Sequence, residues 1–303
     1  MANNFTYTHC IDSYFDSKTV TENTIFAFNF DITTHQEVTI VKMGRTFLGQ
    51  KFLQAYAFIY KDTLVDTGLD CCGKNLRELA GKQKVQKIFL SHHHEDHSGG
   101  AHHFDIPIFS STKTAQIIHS GFKLKPYQRI VWGKMHKCDC KEFPVHLAMG
   151  DETVEVIHTP GHSEDHVVFF LPQKKWLFCG DLFVHEKIKY FRKDEDFATT
   201  IASLRRVIAL DFSTLFCCHR GVVVNGKKAL CNKLDHLLRV EDKVRKLHEQ
   251  GLPIKKIAQK LTKTTSLRIT LGDVSTDNLV HSILFGGVRR PDIKKILEKG
   301  HLD

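Results

Sequence analysis

The chain has 303 residues, 43 Lys and Arg against 34 Asp and Glu (net +9), and 42% hydrophobic residues. That length buries a full core, and the composition excludes a disordered polymer, a fibre and a collagen-like array. No apolar run reaches the ~18–20 residues that cross a bilayer, and residues 1–8 carry neither the basic nor the apolar region of a secretory leader, so a cytoplasmic protein without membrane contact is expected.

Residues 1–221 read as alternating strands and helices. β-Branched and aromatic residues recur between polar ones over 24–30, 37–43 and 55–65, which predicts strands, with a hairpin tip at Lys61 and Asp62 inside the third. A short helix is predicted over 75–80, and the apolar run 85–90 reads as a buried strand that delivers the chain to a histidine-rich segment. Helices follow over 112–119 and 197–209, the second entered through Asp194, Glu195 and Asp196, acidic residues that suit a helix N-terminus. Further strands are predicted at 154–158, 167–171, 176–178 and 214–218. Beyond Asn225 the pattern turns helical. Leu230, Leu234, Leu237, Val244 and Leu247 recur at helical spacing over 228–250, Gly251 closes that helix, and Pro253 opens the next over 254–261. Two more helices are predicted over 276–284 and 291–299. After Gly221 there are 17 Lys and Arg against 9 Asp and Glu, whereas the residues before it are close to balance.

The 9 cysteines include the adjacent pairs Cys71-Cys72 and Cys217-Cys218, a poor disulfide framework that fits a reducing compartment. Six of the 20 histidines (His92, His93, His94, His97, His102 and His103) fall within twelve residues, and clustered His points first to metal. Ser91 to Gly100 contains His-x-His-x-Asp-His at the end of the predicted buried strand. Ligands so close along the chain cannot all reach one tetrahedral ion without strain. They can divide as His92 and His94 for one metal and Asp96 and His97 for its neighbour. Imidazoles with a carboxylate suit Zn2+, and would also hold Fe or Mn. Three later segments extend the set: Thr159-Pro160-Gly161-His162 offers a third imidazole, Asp181 a carboxylate placed to bridge, and His219 a histidine for the second ion. Each follows the C-terminal end of a predicted strand.

These motifs, in this order, resemble those of the metallo-β-lactamase superfamily over 24–221. Val65-Asp66-Thr67-Gly68 is similar to a further landmark, whose Asp supports the metal site. The resemblance implies an α/β fold, a four-layer αβ/βα sandwich with a dinuclear site in the cleft between two sheets, here with a C-terminal helical appendage. It implies two Zn2+ per chain, with Fe or Mn as alternatives, held by His92, His94, Asp96, His97, His162, Asp181 and His219. The activity it implies is hydrolysis by a hydroxide shared between the metals. Asp96 would orient that nucleophile or pass a proton, with His166 as a supporting catalytic residue. The chain then divides into a catalytic domain, 1–225, and a basic helical region, 226–303, that caps the cleft or mediates contacts.

His94 stands where the redox flavo-di-iron branch usually carries Glu, which argues for a hydrolase. Asp181 and the missing leader set exported β-lactamases aside. Glyoxalase II-like enzymes, acting on small esters, thioesters or lactones, are the preferred branch. Lactamase-like endoribonucleases or phosphodiesterases are the alternative, and a metal-retaining binding protein without turnover is the third reading. The basic C-terminal region suits an anionic ligand. A small anionic acyl substrate is therefore expected as partner and RNA is the alternative, while DNA is not expected and homo-oligomerisation stays open. His93 and Glu95 are read as rim residues, Tyr190 and Arg192 as a loop at the site, and 121–141 as another wall. His158 is read as a packed core residue or a support behind the metal site, and His102 and His103 as the start of a helix outside the ligand set. Cys138 and Cys140, near His136, lack a second pair for a zinc site of their own.

Overall fold

In a computed structural model the described residues are 26–47, 50–188, 190–262 and 274–286. The helix expected over 291–299 lies outside them. Strands β1 (Phe26–His35), β2 (Val38–Phe47), β3 (Gln50–Tyr60) and β4 (Thr63–Val65) form an antiparallel run, turning at Lys61 between β3 and β4 as expected. After α1 (Gly73–Lys82), β5 (Lys87–Phe89) joins β4 in parallel. The single turn α2 (Glu95–Ser98) follows, then β6 (Ile108–Ser110), α3 (Thr112–Ser120), α4 (Pro126–Val131) and β7 (Lys141–Glu142), with β6 and β7 extending the same sheet in parallel. A small hairpin, β8 (Ala148–Met149) and β9 (Glu152–Thr153), leads to the second sheet. That sheet is ordered β10 (Glu155–His158), β11 (Val167–Leu171), β12 (Trp176–Phe178), β13 (Thr214–Cys217) and β14 (Gly221–Val223), with α5 (Phe197–Ile208) between β12 and β13. Helices α6 (Gly226–Glu249), α7 (Ile254–Thr262) and α8 (Thr276–Phe285) come last.

The layering follows from the period of two along each strand. In β11, Val167, Phe169 and Leu171 point to an inner cluster, whereas Val168 and Phe170 point to an outer one. In β12 and β13, Trp176, Phe178 and Phe216 go inward while Leu177, Leu215 and Cys217 go outward. The first sheet mirrors this: Phe58, Tyr60, Val65 and Phe89 meet the inner cluster, and Ala57, Ile59, Leu64 and Ile88 the outer face covered by α1. Rings fill the space between the sheets, with Phe178 stacked on Phe216 at 4.6 Å and Phe58 edge-on to Phe216 at 5.5 Å. Both sheets are thus apolar on two faces, and helices cover the outer ones. The result is the four-layer αβ/βα sandwich, with α5 to α8 sharing one apolar cluster behind the second sheet.

Two expectations are corrected. His102 and His103 do not begin a helix. They end a 3-10 turn (Ala101–His103), after which Phe104 is extended and Pro107 precedes β6. His158 is exposed, not packed: β10 is the edge of its sheet, and the residue's carbonyl, not its ring, takes the hydrogen bond from Arg206 at 2.7 Å.

Candidate metal centre and substrate cleft

The loop after β5 is shaped by its own backbone. Ser91 N–H donates to Asp66 Oδ1 at 2.8 Å, and the amides of His97 and Ser98 both return to the His94 carbonyl (3.0 and 2.9 Å), making α2 a single tight turn. Gly99 and Gly100 are required by close approach. A Cβ on Gly99 would sit 2.3 Å from the Glu95 carbonyl oxygen, and one on Gly100 2.5 Å from that of Thr67. Ser91 O also accepts the Val167 amide at 2.9 Å, which ties the loop to the second sheet.

Seven side chains converge in two sets. His92, His94 and His162 form one, and Asp96, His97, Asp181 and His219 the other, with the potential ligand atoms of each set within 4.8 Å of one another. Asp181 lies between them: Oδ2 is 3.2 Å from His162 Nε2 and 3.3 Å from His219 Nε2, and Oδ1 is 3.3 Å from His97 Nε2. Asp96 Oδ2 is 3.3 Å from His219 Nε2.

Four histidines have their outer nitrogen committed. His97 Nδ1 donates to Asp66 Oδ2 (2.8 Å), His162 Nδ1 to Glu195 Oε1 (2.8 Å) and His219 Nδ1 to the Gln54 carbonyl (2.8 Å), while His92 Nδ1 meets Ser91 Oγ at 3.0 Å. Each partner fixes a tautomer with the Nε2 lone pair facing inward. His92 Nε2 and His162 Nε2 both lie 2.9 Å from His94 Nδ1, so three nitrogens meet with fewer protons than contacts. His97 Nε2 and Asp181 Oδ1, 3.3 Å apart, are buried without hydrogen bonds. Buried lone pairs aimed at one another are costly unless a cation stands among them. The donor set therefore fits the metal ions that the fold implies.

The electrostatics agree. Burial, then the neighbouring imidazoles, keep His92 well below the ordinary histidine value. At His219 burial works the same way, but the Asp181 carboxylate outweighs it and holds the ring well above that value. Burial would raise Asp181, yet His219, His97 and His162 hold it well below the carboxylate range. Glu95, one residue before Asp96, is pushed up by burial and by Asp96, while Asp96 is held down against burial by His219 and His97.

His166 sits behind the site. Its Nε2 accepts the Asp181 amide at 3.0 Å, so Nδ1 carries the proton and donates to Thr159 Oγ1 at 2.8 Å. Both nitrogens are used in positioning Asp181. His93 also turns aside: its amide and Nδ1 are held by Asp165 at 2.8 and 2.9 Å. Glu95 is 2% exposed and accepts from Gln128 Nε2 at 2.8 Å. Burial pushes the Cys218 thiol up to about 11, so it stays protonated against the core.

The two sets open into a cleft of about 420 Å3. Its walls are Tyr127, Val131 and Trp132 around α4, Val184, Ile188, Tyr190 and Arg192 after β12, and Lys233 of α6. Tyr190 and Arg192 are therefore at the site, as is the part of the 121–141 segment around α4, Tyr127 to Trp132. Lys233 was not expected there. It is buried, and Nζ donates to the carbonyls of Leu182 (2.6 Å) and Phe183 (2.9 Å), which holds the loop after Asp181. A lysine between Leu230 and Leu237 on the apolar stripe was the available signal. Ser91 and Glu195 were likewise missed as anchors of His92 and His162.

The family model described as the metallo-β-lactamase superfamily matches residues 53–219, more than half of the chain, and the chain belongs to that superfamily. It is 29% identical over 163 residues to an atrochrysone carboxyl ACP thioesterase of Aspergillus fumigatus, a match covering 54% of this chain and 47% of that relative. The chain thus spans about half the length of this relative. Among solved structures, a metallo-β-lactamase from Pontibacter korlensis shares the fold at 21% identity and a TM-score of 0.50, over 69% of this chain and 99% of that one. A β-lactamase domain protein from Burkholderia ambifaria does so at 15% and 0.55, over 71% and 79%. Family and relative together support a metal-dependent hydrolase. Among the described residues, no helix is long and apolar enough to cross a membrane.

Proposed function

We propose that the chain is a dinuclear metal-dependent hydrolase, with zinc as the preferred metal, acting on a small acyl thioester or related ester or lactone. The observation that carries this is the pair of His/Asp sets joined by Asp181 at the floor of a cleft with mostly apolar walls. The kinship to an acyl-carrier thioesterase supports the thioester over the other acyl substrates.

His92, His94 and His162 would hold one ion, and Asp96, His97 and His219 the other, with Asp181 between. What a bound ion pair supplies is a lowered water pKa and polarisation of the scissile carbonyl. The chain's own residues do the rest. Asp66, Gln54 and Glu195 keep the imidazoles in register. Trp132, Val131 and Ile188 exclude water around the acyl group. Asp96, on the cleft wall and 3.3 Å from His219, takes the proton of the attacking water and returns it to the departing thiolate. The new C–O bond replaces the C–S bond, and acid and thiol leave. The region that begins at 226 serves as a wall of the cleft, supported by Lys233 and Val274 lining it.

The test is hydrolysis of an acyl-CoA, S-lactoylglutathione, a homoserine lactone, bis-p-nitrophenyl phosphate and a single-stranded RNA by zinc-loaded protein, beside Asp181→Ala. Acyl cleavage that falls to background in the variant is expected. Cleavage of RNA alone, weakened by salt, would instead favour the endoribonuclease reading, and bound metal without any turnover the binding protein.

A further inference from the structure

Outside the cleft a second group of ligand-type side chains comes together. Asp70 opens a short turn (Asp70–Cys72) after β4, His102 and His103 end the turn that follows the Gly99-Gly100 pair, and His136 lies between α4 and β7. Asp70 Oδ1 is 3.4 Å from His102 Nε2, 3.3 Å from His103 Nε2 and 3.9 Å from His136 Nε2. The His136 ring stacks on His102, with centroids 4.0 Å apart.

The separations to His102 and His103, whose ligand atoms with those of Asp70 lie within 4.8 Å of one another, have a physical reading. Tetrahedral zinc, with bonds of ~2.0–2.1 Å, places neighbouring ligand atoms ~3.3–3.4 Å apart. Charge-assisted N–H···O hydrogen bonds are shorter, ~2.7–2.9 Å. The polarity of His102 is more telling. Its Nδ1 lies 3.2 Å from the Gly99 carbonyl, which can only accept, so Nδ1 carries the proton. On the neutral ring Nε2 then directs a lone pair at a carboxylate oxygen, acceptor against acceptor. His103 Nε2 is 3.2 Å from the Asp70 carbonyl, which can only accept, as well as 3.3 Å from Oδ1, so it carries a proton that an arriving ion would displace.

We propose that Asp70, His102, His103 and His136 bind one divalent transition-metal ion, zinc by preference, at a site separate from the cleft. Three imidazoles and one carboxylate form a closed tetrahedral set, the arrangement of a structural site and not of one that binds substrate. The ion would join the end of the His-x-His-x-Asp-His loop to the segment after α4, and α4 carries the Tyr127 and Gln128 wall. Arg45 already ties the same wall, donating to the carbonyls of Arg129 (3.2 Å) and Ile130 (3.0 Å). This inference does not depend on the hydrolase reading, because the ion count is read without turnover.

The experiment is the zinc content of the full chain by native mass spectrometry, after dialysis at micromolar free zinc. Wild type is compared with the double variants His102→Ala/His103→Ala and His102→Gln/His103→Gln. Both doubles are expected to hold about one equivalent less than wild type, while Asp181→Ala keeps that equivalent. The Gln pair supplies the count if the Ala pair unfolds. An unchanged count in a folded double overturns the site, as does an equivalent that fills only at millimolar zinc. His136→Ala should raise the free zinc needed for that equivalent, and no shift removes His136 from the set. Anomalous scattering at the zinc edge from wild-type crystals gives the same answer without mutation: a peak beside Asp70 supports the site, and none there overturns it.

Discussion

Replacing Asp66 by Asn separates the two halves of the candidate centre. Asp66 is 2% exposed and accepts from Ser91 N–H (2.8 Å), Ser91 Oγ (2.9 Å) and His97 Nδ1 (2.8 Å). The substitution keeps the shape, and the positive φ of 59° is one that Asn tolerates. The amide nevertheless has a single acceptor oxygen. With that oxygen on His97, the NH2 group meets the Ser91 amide, donor against donor, at a cost of about 1–3 kcal/mol. With the amide reversed, His97 must accept through Nδ1 and carry its proton on Nε2, which closes the nitrogen that faces Asp181. Losing such a partner typically lowers metal affinity 10–100-fold, about 1.4–2.7 kcal/mol. His162 keeps Glu195 and His92 keeps Ser91, so the loss should fall on the Asp96/His97/Asp181/His219 set. Competition against a chromophoric zinc chelator resolves the two affinities. Wild-type values at both sets would refute the reasoning.

Gly161 has φ 138°, and a Cβ there would lie 2.4 Å from Thr200 Oγ1 and 2.6 Å from the Thr200 backbone. Gly161→Ala should cost about 2–5 kcal/mol in urea unfolding and displace His162; a change below ~0.5 kcal/mol, the ordinary surface range, would contradict this. Lys233→Met leaves the Leu182 and Phe183 carbonyls without their donor. A loss of ~1–3 kcal/mol is expected, with a raised KM if the loop after Asp181 loosens, and unchanged stability would show the lysine to be dispensable. At Asp165 burial raises the carboxyl, but hydrogen bonds from His93, Ser163 and Thr114 more than offset it and hold the group below its ordinary value of 3.8. Its folded pKa is depressed, so the stability it adds is present above that value and lost as the pH falls below it. The stability gap between metal-free wild type and Asp165→Asn should be constant from pH ~7 to ~5 and shrink below ~4; a gap that persists into acid would reverse the assignment.

What could be read from the sequence was read where one physical signal dominated. Val167–Leu171 and Trp176–Phe178 have the bounds expected, because both faces of these strands are buried and the apolar run is unbroken. Helix α5 begins where Asp196 caps the Thr199 amide at 2.7 Å, as the acidic stretch suggested. β6 escaped because three residues after Pro107 show no period, and α4 because its Pro-Tyr-Gln-Arg-Ile-Val has no apolar stripe. The seven potential ligands were legible because they stand in compact motifs, and the structure brings them together in two sets. Their supports were not. Gln54 acts through a backbone carbonyl, which no side chain announces, and Glu195 looked like a helix-cap residue although its carboxylate goes to His162. The Asp70 cluster was hidden for a related reason. Its members are 33 residues apart or more from Asp70 to His103 and His136, and only the fold makes them neighbours.

The apolar cluster behind the second sheet has a consequence for how the molecule is made. Val168, Phe170, Leu177 and Leu215 of that sheet are covered by Leu230, Leu237, Val244, Ile257, Leu279 and Ile283 of α6 to α8. A nascent chain whose synthesis has just passed His219 already holds all seven residues of the centre. It still lacks the helices that seal the back of the sheet carrying three of them, and the lysine that fixes the loop after Asp181. The residues of the centre are therefore complete before those that bury the back of that sheet have been made. In that interval the ribosome carries a chain whose seven site residues are all made while a broad apolar face still lacks its cover, the kind of surface that chaperones bind.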